Sequence, residues 1–251
     1  MRKIRRNLVT IGNWFQRLKF YGPGNTIRLY RNLKKERCFT LRVYGNAFCI
    51  RGKSVDFAVF NSIFALGEYD FEIDFDPEVI LDAGANTGAS AVYFHHRYRG
   101  ARIIAIEPEQ TNFDLLVKNT APYQNITCIR GAIYGEDTSL KISDTTVDKY
   151  AFRVERATST DDSVAGFTID TLMKQYSIAH IDILKMDIEG AEYDVFMHEP
   201  GEWLSKTRLL IMEVHELFKP GITELVNSIL SSYNFEIIHK GENIFARNKE
   251  F

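Results

Sequence analysis

From Val79 onward, short apolar runs alternate with stretches of helical periodicity. The runs at 79–83, 102–107, 126–130, 181–187 and 207–214 are almost uninterrupted in apolar character and bounded by turn residues. Strands buried on both faces read this way. The stretches at 87–97, 110–120, 168–177, 189–198 and 221–232 place apolar residues at helical spacing. Such alternation predicts an α/β fold of parallel strands joined by right-handed crossovers. The last two runs, Phe235-Glu236-Ile237-Ile238-His239 and Ile244-Phe245-Ala246, are separated by a short turn only. A parallel pair needs a longer crossover, so these two must pair antiparallel.

The chain before Val79 is patterned differently. Ile4, Leu8, Ile11, Phe15 and Leu18 fall on one helical stripe flanked by Arg2, Lys3, Arg5, Arg6, Arg17 and Lys19. A basic amphipathic helix of this kind lies on an anionic membrane surface, or packs on its own domain or a second subunit of a homo-oligomer. Gly12 and the short stripe favour packing. Tyr21-Gly22-Pro23-Gly24-Asn25 breaks the pattern. Alternation over 39–44 and 47–51 about Gly45-Asn46 predicts a hairpin. A helix from Ser54 to Leu66 should follow, with Val55, Val59, Ile63 and Leu66 on one face and a cap at Ser54-x-Asp56. Residues 143–165 cluster Thr, Ser and Asp and read as an insertion that covers substrate. The domain reading is a basic extension over 1–37 and one catalytic domain over 38–251.

Charge sharpens that division. Residues 1–37 carry +10 and the remainder −12, for a net −2 over 251 residues. No apolar run is long enough to span a bilayer, and Thr10, Gly12 and Asn13 interrupt any secretory leader. Cys38, Cys49 and Cys128 have no C-x-x-C spacing, which argues against a disulfide framework or a zinc site and for buried free thiols. The expectation is a cytoplasmic protein, membrane-peripheral if residues 1–20 bind lipid. Basic charge without a nucleic-acid motif gives no nucleic-acid partner.

The candidate chemistry sits at the C-terminal ends of the predicted strands, where open α/β sheets bind ligands. Val79-Ile80-Leu81-Asp82-Ala83-Gly84-Ala85-Asn86-Thr87-Gly88 runs from strand through a glycine loop into a helix. Gly84 would let backbone approach a ligand, and Gly88 would let the helix pack on the strand. The spacing Gly84-x-x-x-Gly88 is not the G-x-G-x-x-G dinucleotide fingerprint, which disfavours a nucleotide-dependent oxidoreductase. Glu107 closes the second core strand, where an acid can accept both ribose hydroxyls of an adenosine group. Gly131-Ala132 follows the third strand. Lys185, Asp187, Glu189 and Glu192 follow the fourth, and Glu213 and His215 share a face at the end of the fifth. If strands four and five are neighbours, Asp187, Glu213 and His215 converge.

Asp82-x-Gly84-Ala-Asn86-x-Gly88 resembles the first motif of class I S-adenosylmethionine-dependent methyltransferases. Taken with Glu107-Pro108, Lys185-Met-Asp187-Ile-Glu-Gly-Ala-Glu192 and Glu213-Val-His215, the chain over roughly 68–247 resembles the FkbM family of those enzymes. The resemblance implies a doubly wound, mostly parallel seven-stranded Rossmann-like sheet ending in an antiparallel hairpin. It implies S-adenosyl-L-methionine as cofactor. Asp82 would meet its amine and the loop amides its carboxylate, with Glu68, Gly84, Asn86, Gly88, Glu107, Gly131 and Ala132 completing the site. It implies O-methylation of a small-molecule or glycan hydroxyl. An alcohol needs a base within reach. His215 is the candidate because its reference pKa is near neutrality, oriented by Asp187 or Glu213. A second version places a divalent ion such as magnesium on Asp187 and Glu213, with His215, to lower the hydroxyl's pKa. The competing function is a non-catalytic S-adenosylmethionine or nucleotide binder.

Overall fold

The computed structural model describes residues 21, 22, 26, 29, 31–144, 152–156, 163–198, 200–216 and 219–251. The predicted stripe over residues 1–20 lies outside the described residues. The chain divides into two compact units, Met1–Glu72 and Ile73–Phe251. The first unit thus takes in the hairpin and helix as well as the basic stretch.

In the N-terminal unit, β1 (Cys38–Val43) and β2 (Asn46–Arg51) form the expected antiparallel hairpin. Its turn is Tyr44-Gly45, at φ 48° and 86°, one residue earlier than expected. A two-residue turn matching strand twist needs positive φ at both central positions, which leaves Asn46 to pair with Val43. Helix α1 (Asp56–Leu66) buries Ile63 of the expected face, but Phe57 and Phe60 in place of Val55, Val59 and Leu66. The phenylalanines bury more area, and Phe60 packs 5.1 Å from Phe48 and 4.7 Å from Phe64. Buried Asp56 does not cap. It takes Arg51 Nη2 at 2.8 Å and Nε at 2.9 Å, while its own N–H donates to Ser54 Oγ at 3.2 Å. Gly67 closes α1 in the left-handed region, and the Glu68 N–H donates to Ser62 O at 3.2 Å.

The second unit is built on a seven-stranded sheet in the order β12-β13-β11-β10-β3-β4-β5. Its parallel strands are β3 (Val79–Ala83), β4 (Arg102–Glu107), β5 (Ile126–Arg130), β10 (Ile181–Met186) and β11 (Thr207–Glu213). They pair parallel throughout. The terminal strands β12 (Phe235–Lys240) and β13 (Asn243–Asn248) close the sheet antiparallel. The crossovers carry α2 (Ala89–Arg97), α3 (Gln110–Thr120), α4 (Ile169–Gln175), α5 (Glu192–Met197), α6 (Gly201–Ser205) and α7 (Ile222–Ser232). The core runs along the central strands: Leu81, Ile104, Leu184 and Leu210 are fully buried, and Trp203 packs on Phe196. This is the α/β sheet with antiparallel terminal hairpin that the sequence led us to expect.

Within the polar segment 143–165, residues 143–144, 152–156 and 163–165 are strand. A second sheet, in the order β6-β9-β7-β8, joins β6 (Ala132–Ile133), β7 (Thr138–Asp144), β8 (Phe152–Arg156) and β9 (Ser163–Phe167). Ala132, Ile133, Leu140 and Val164 are among its buried positions. One more expectation, on the cysteines, is corrected. Of the cysteines only Cys49 is buried, and Cys38 is exposed. His95 and His96 are half-buried, each held by a partner, Asn125 and Tyr123 respectively.

Candidate functional site

Parallel register brings the ends of β3, β4, β10 and β11 to one edge. Lys185 lies across from Asp82 on β3 and Ile211 on β11, so Asp187 and Glu213 emerge side by side. A cavity of about 570 Å³, open to solvent, lies at this edge. It is lined by Gly84, Asn86, Ile106, Glu107, Pro108, Asn112, Gly131, Ala132, Ile133, Val154, Asp187, Ile188 and Glu189.

Most of the predicted binding residues therefore meet in one place. Glu107 is 5% exposed and accepts on both oxygens: Oε2 from Asn86 N–H at 2.9 Å, Oε1 from Glu109 N–H at 2.9 Å and Asn112 Nδ2 at 3.4 Å. Burial pushes its carboxyl up to about 7, against the pull of those donors. Asn86 sits at φ 48°, which aims its N–H at Glu107. Gly131 and Ala132 form one wall, where a side chain at Gly131 would run into the Phe167 ring. Ile133, Ile188 and Val154 form an apolar wall, the last from the second sheet.

The glycines serve the protein itself. A Cβ at Gly84, φ 77°, would fall 1.8 Å from the Asp187 carbonyl oxygen. The close approach is thus to the neighbouring strand's end rather than to a ligand. A Cβ at Gly88 would meet Leu116 and Thr120, so this glycine seats α2 against α3 rather than against the strand. The loop amides are largely engaged: Gly84 and Ala85 donate to Ile106 O, Asn86 to Glu107 and Gly88 to Ala85 O.

Asp82 does not line the cavity. It is fully buried, accepts from Ser90 Oγ at 2.6 Å and lies 3.4 Å from Lys185 Nζ. Burial raises its carboxyl pKa, opposed by Lys185 and Ser90. Lys185 also donates to Gly84 O at 2.7 Å and Ala83 O at 3.3 Å. The pair pins the loop from beneath. Glu68 belongs to the N-terminal unit described above.

The acceptor candidates do converge. One ligand atom from each of Asp187, Glu213 and His215 lies within 4.8 Å of the others. His215 is ringed by carboxylates: Glu192 at 2.8 Å from Nδ1, and Glu189, Asp187 and Glu213 at 3.3, 3.8 and 3.8 Å from Nε2. Its orienting partner is thus Glu192, not Asp187 or Glu213. Burial alone would lower the imidazole pKa, but hydrogen bonding to Glu192 and the charges of Glu192, Asp187 and Glu189 raise it to about 9. The premise that His215 titrates near neutrality does not hold here: it carries a proton at pH 7. Burial, reinforced by Asp187, pushes both Glu189 and Glu213 up to about 7. Asp187 Oδ1 is shielded from solvent and has no hydrogen-bond partner among the described residues.

Glu189 and Glu192 are the functional candidates that strand-end reasoning passed over. Glu189 does not begin a helix as expected. It occupies a turn at φ 53°, before Gly190 at φ 100°, and α5 starts at Glu192. The acid spacing Glu189-x-x-Glu192 was visible, but not the tight turn that aims both side chains at His215.

Comparison with known proteins places these residues in context. A family model described as the methyltransferase FkbM domain matches residues 82–237. Methyltransferase sdnD of Sordaria araneosa is 24% identical over 192 residues, which covers 63% of this chain and 73% of that protein. The crystal structure of a methyltransferase FkbM from Methylobacillus flagellatus is similar at a TM-score of 0.49 and 17% identity, covering 74% of this chain. The chain spans about half the length of that protein, 47%. The structure of M. capricolum TrmK in complex with S-adenosyl-homocysteine is similar at a TM-score of 0.36 and 12% identity, over 68% of this chain and 62% of that one.

Proposed function

The chain belongs to the FkbM methyltransferase family, and from that premise we propose that it moves a methyl group from S-adenosylmethionine to a hydroxyl of a sugar, glycan or related natural product. The supporting observation is one cavity lined by Glu107, Asp187 and Glu189 together. The residues suit the donor. Glu107 offers a buried carboxylate to a ribose, and Ile133, Val154 and Ile188 offer apolar walls to a flat base. Asp82, Ser90 and Lys185 act on the donor through the loop they hold.

S-adenosylmethionine, when bound, would supply the methyl group from its sulfonium, leaving the neutral thioether S-adenosylhomocysteine, so no leaving-group acid would be needed. The protein's share is alignment and proton removal. Holding two reactants in line accounts for on the order of 7–11 kcal/mol in well-oriented systems. The acceptor hydroxyl's proton passes to the Asp187–Glu213–His215 corner as oxygen attacks the methyl carbon. His215 serves as base once its own proton has been given up, and a carboxylate of the corner serves otherwise. A second reading adds a divalent cation, magnesium by its preference for oxygen, on Asp187 and Glu213 with His215. The orphaned Asp187 Oδ1 and the spacing of the ligand atoms favour it. It would lower the hydroxyl's pKa.

No helix among the described residues is long and apolar enough to cross a membrane. A cytoplasmic enzyme whose basic residues 1–37 bring it to membrane-bound acceptors or to a second subunit fits the charge distribution. Thermal shift with S-adenosylhomocysteine, NAD and ATP tests the donor: stabilisation by the first is expected, and stabilisation by NAD alone would overturn the proposal. Methyl transfer into a glycan extract that survives EDTA unchanged would remove the cation.

A further inference from the structure

Glu192 is 1% exposed and opens a short helix beside the site without lining the cavity. Burying a carboxylate is unfavourable unless a charged or donating group offsets the lost hydration. Here that group is His215: Nδ1 lies 2.8 Å from Glu192 Oε1, the shortest contact between the ring and any of the four carboxylates around it. An ionised carboxylate only accepts hydrogen bonds, so Nδ1 must carry the hydrogen. This sets the ring plane, keeps the hydrogen on Nδ1 when the imidazolium gives up a proton, and leaves Nε2 as the atom turned toward Asp187, Glu213 and Glu189. Outer partners of this kind are how proteins hold an imidazole in working orientation.

We propose that Glu192 is the positioning residue of the site, fixing His215 so that Nε2 is delivered to the acceptor corner. It acts through His215 and touches neither donor nor acceptor. The proposal rests on methyl transfer taking place at this corner. It holds whether Nε2 receives a proton or ligates a cation, because both need the same nitrogen in the same place. Glu189 cannot substitute for Glu192, since it approaches from the Nε2 side.

Three variants test it: Glu192→Gln, which keeps an oxygen acceptor at the same reach; Glu192→Asp, which keeps the charge but is one methylene short; and Glu192→Ala. Three properties are measured for each. These are affinity for S-adenosylhomocysteine, methyl transfer from radiolabelled S-adenosylmethionine into a glycan extract of the source cells, and the ¹⁵N spectrum of His215. Asp and Ala are expected to slow transfer by about 10–100-fold, the usual loss for such partners. Gln should stay within about fivefold of wild type, and all three should bind S-adenosylhomocysteine within about twofold of wild type. Recorded above about pH 9, where the ring is neutral, the ¹⁵N signals should show hydrogen on Nδ1 in wild type and Gln, and a tautomer mixture in Asp and Ala. Transfer unchanged in all three, or a loss in Gln equal to that in Asp, overturns the proposal. So does a loss of donor affinity that parallels the loss of turnover. If Ala fails to fold, the Gln and Asp pair decides. A wild-type protein that neither binds S-adenosylhomocysteine nor transfers methyl overturns the functional reading itself; wild-type turnover indifferent to Glu192 overturns only this inference.

Discussion

At the scale of the residue, the site depends on side chains and backbone atoms that never meet a ligand. Gly84 shows this most sharply, because its missing Cβ makes room for the Asp187 carbonyl. Gly84→Ala should cost about 1–2 kcal/mol from the positive φ alone, and more from the contact it forces. The expected outcome is a lower melting temperature together with loss of S-adenosylhomocysteine binding by calorimetry. Glu107 is the complementary case, since its carboxyl does meet the cavity. Ribose hydroxyls donate to the ionised form, so donor affinity should rise as pH increases through about 7. In Glu107→Gln the affinity should be weaker and nearly flat over the same range.

Elements differ in how plainly the sequence announced them. The parallel strands β3, β4 and β5 begin and end where their apolar runs do, because a strand buried on both faces has to be apolar at nearly every position. The antiparallel end strands were legible for a different reason, the shortness of the turn between them. The second sheet was not legible. Its strands are short, and Arg153, Glu155 and Arg156 make β8 look like loop. Its burial is carried by few positions, of which Leu140 is 0% exposed. Leu140→Ala should therefore cost about 2–5 kcal/mol, read by denaturant unfolding. It should also weaken donor binding, because Val154 of the same sheet lines the cavity. In the site itself, residue types were legible and directions were not. Asp82, Glu107 and Asp187 all end strands in the sequence, yet Asp82 turns to Lys185 and Ser90. Nothing in the spacing says which way an acid at a strand end will point.

The whole molecule concentrates its unusual titrations at one sheet edge, and that gives stability a definite pH dependence. Glu107, Glu189 and Glu213 have folded pKa values raised to about 7. Each binds its proton more tightly folded than unfolded, so the stability it lends is fully present below about 4.5 and lost as pH rises through 7. His215, raised to about 9, acts in the same sense between about 6.5 and 9. His96 is lowered to about 4 by burial, and works oppositely: its share is present above 6.5 and lost as pH falls toward 4. The melting temperature of the ligand-free protein should thus be highest in mildly acid solution and decline toward pH 9. Glu107→Gln should flatten the segment between 4.5 and 7. A profile rising steadily to pH 9 would contradict this account.

The seating of the Asp187 main chain on Gly84 would, on the proposed function, weld the donor side of the cleft to the side where the acceptor arrives. Neither half can be retuned without disturbing the other. New preferences for the methylated compound must then arise farther out, on surfaces such as the small sheet, whose drift leaves the shared hinge-free joint intact.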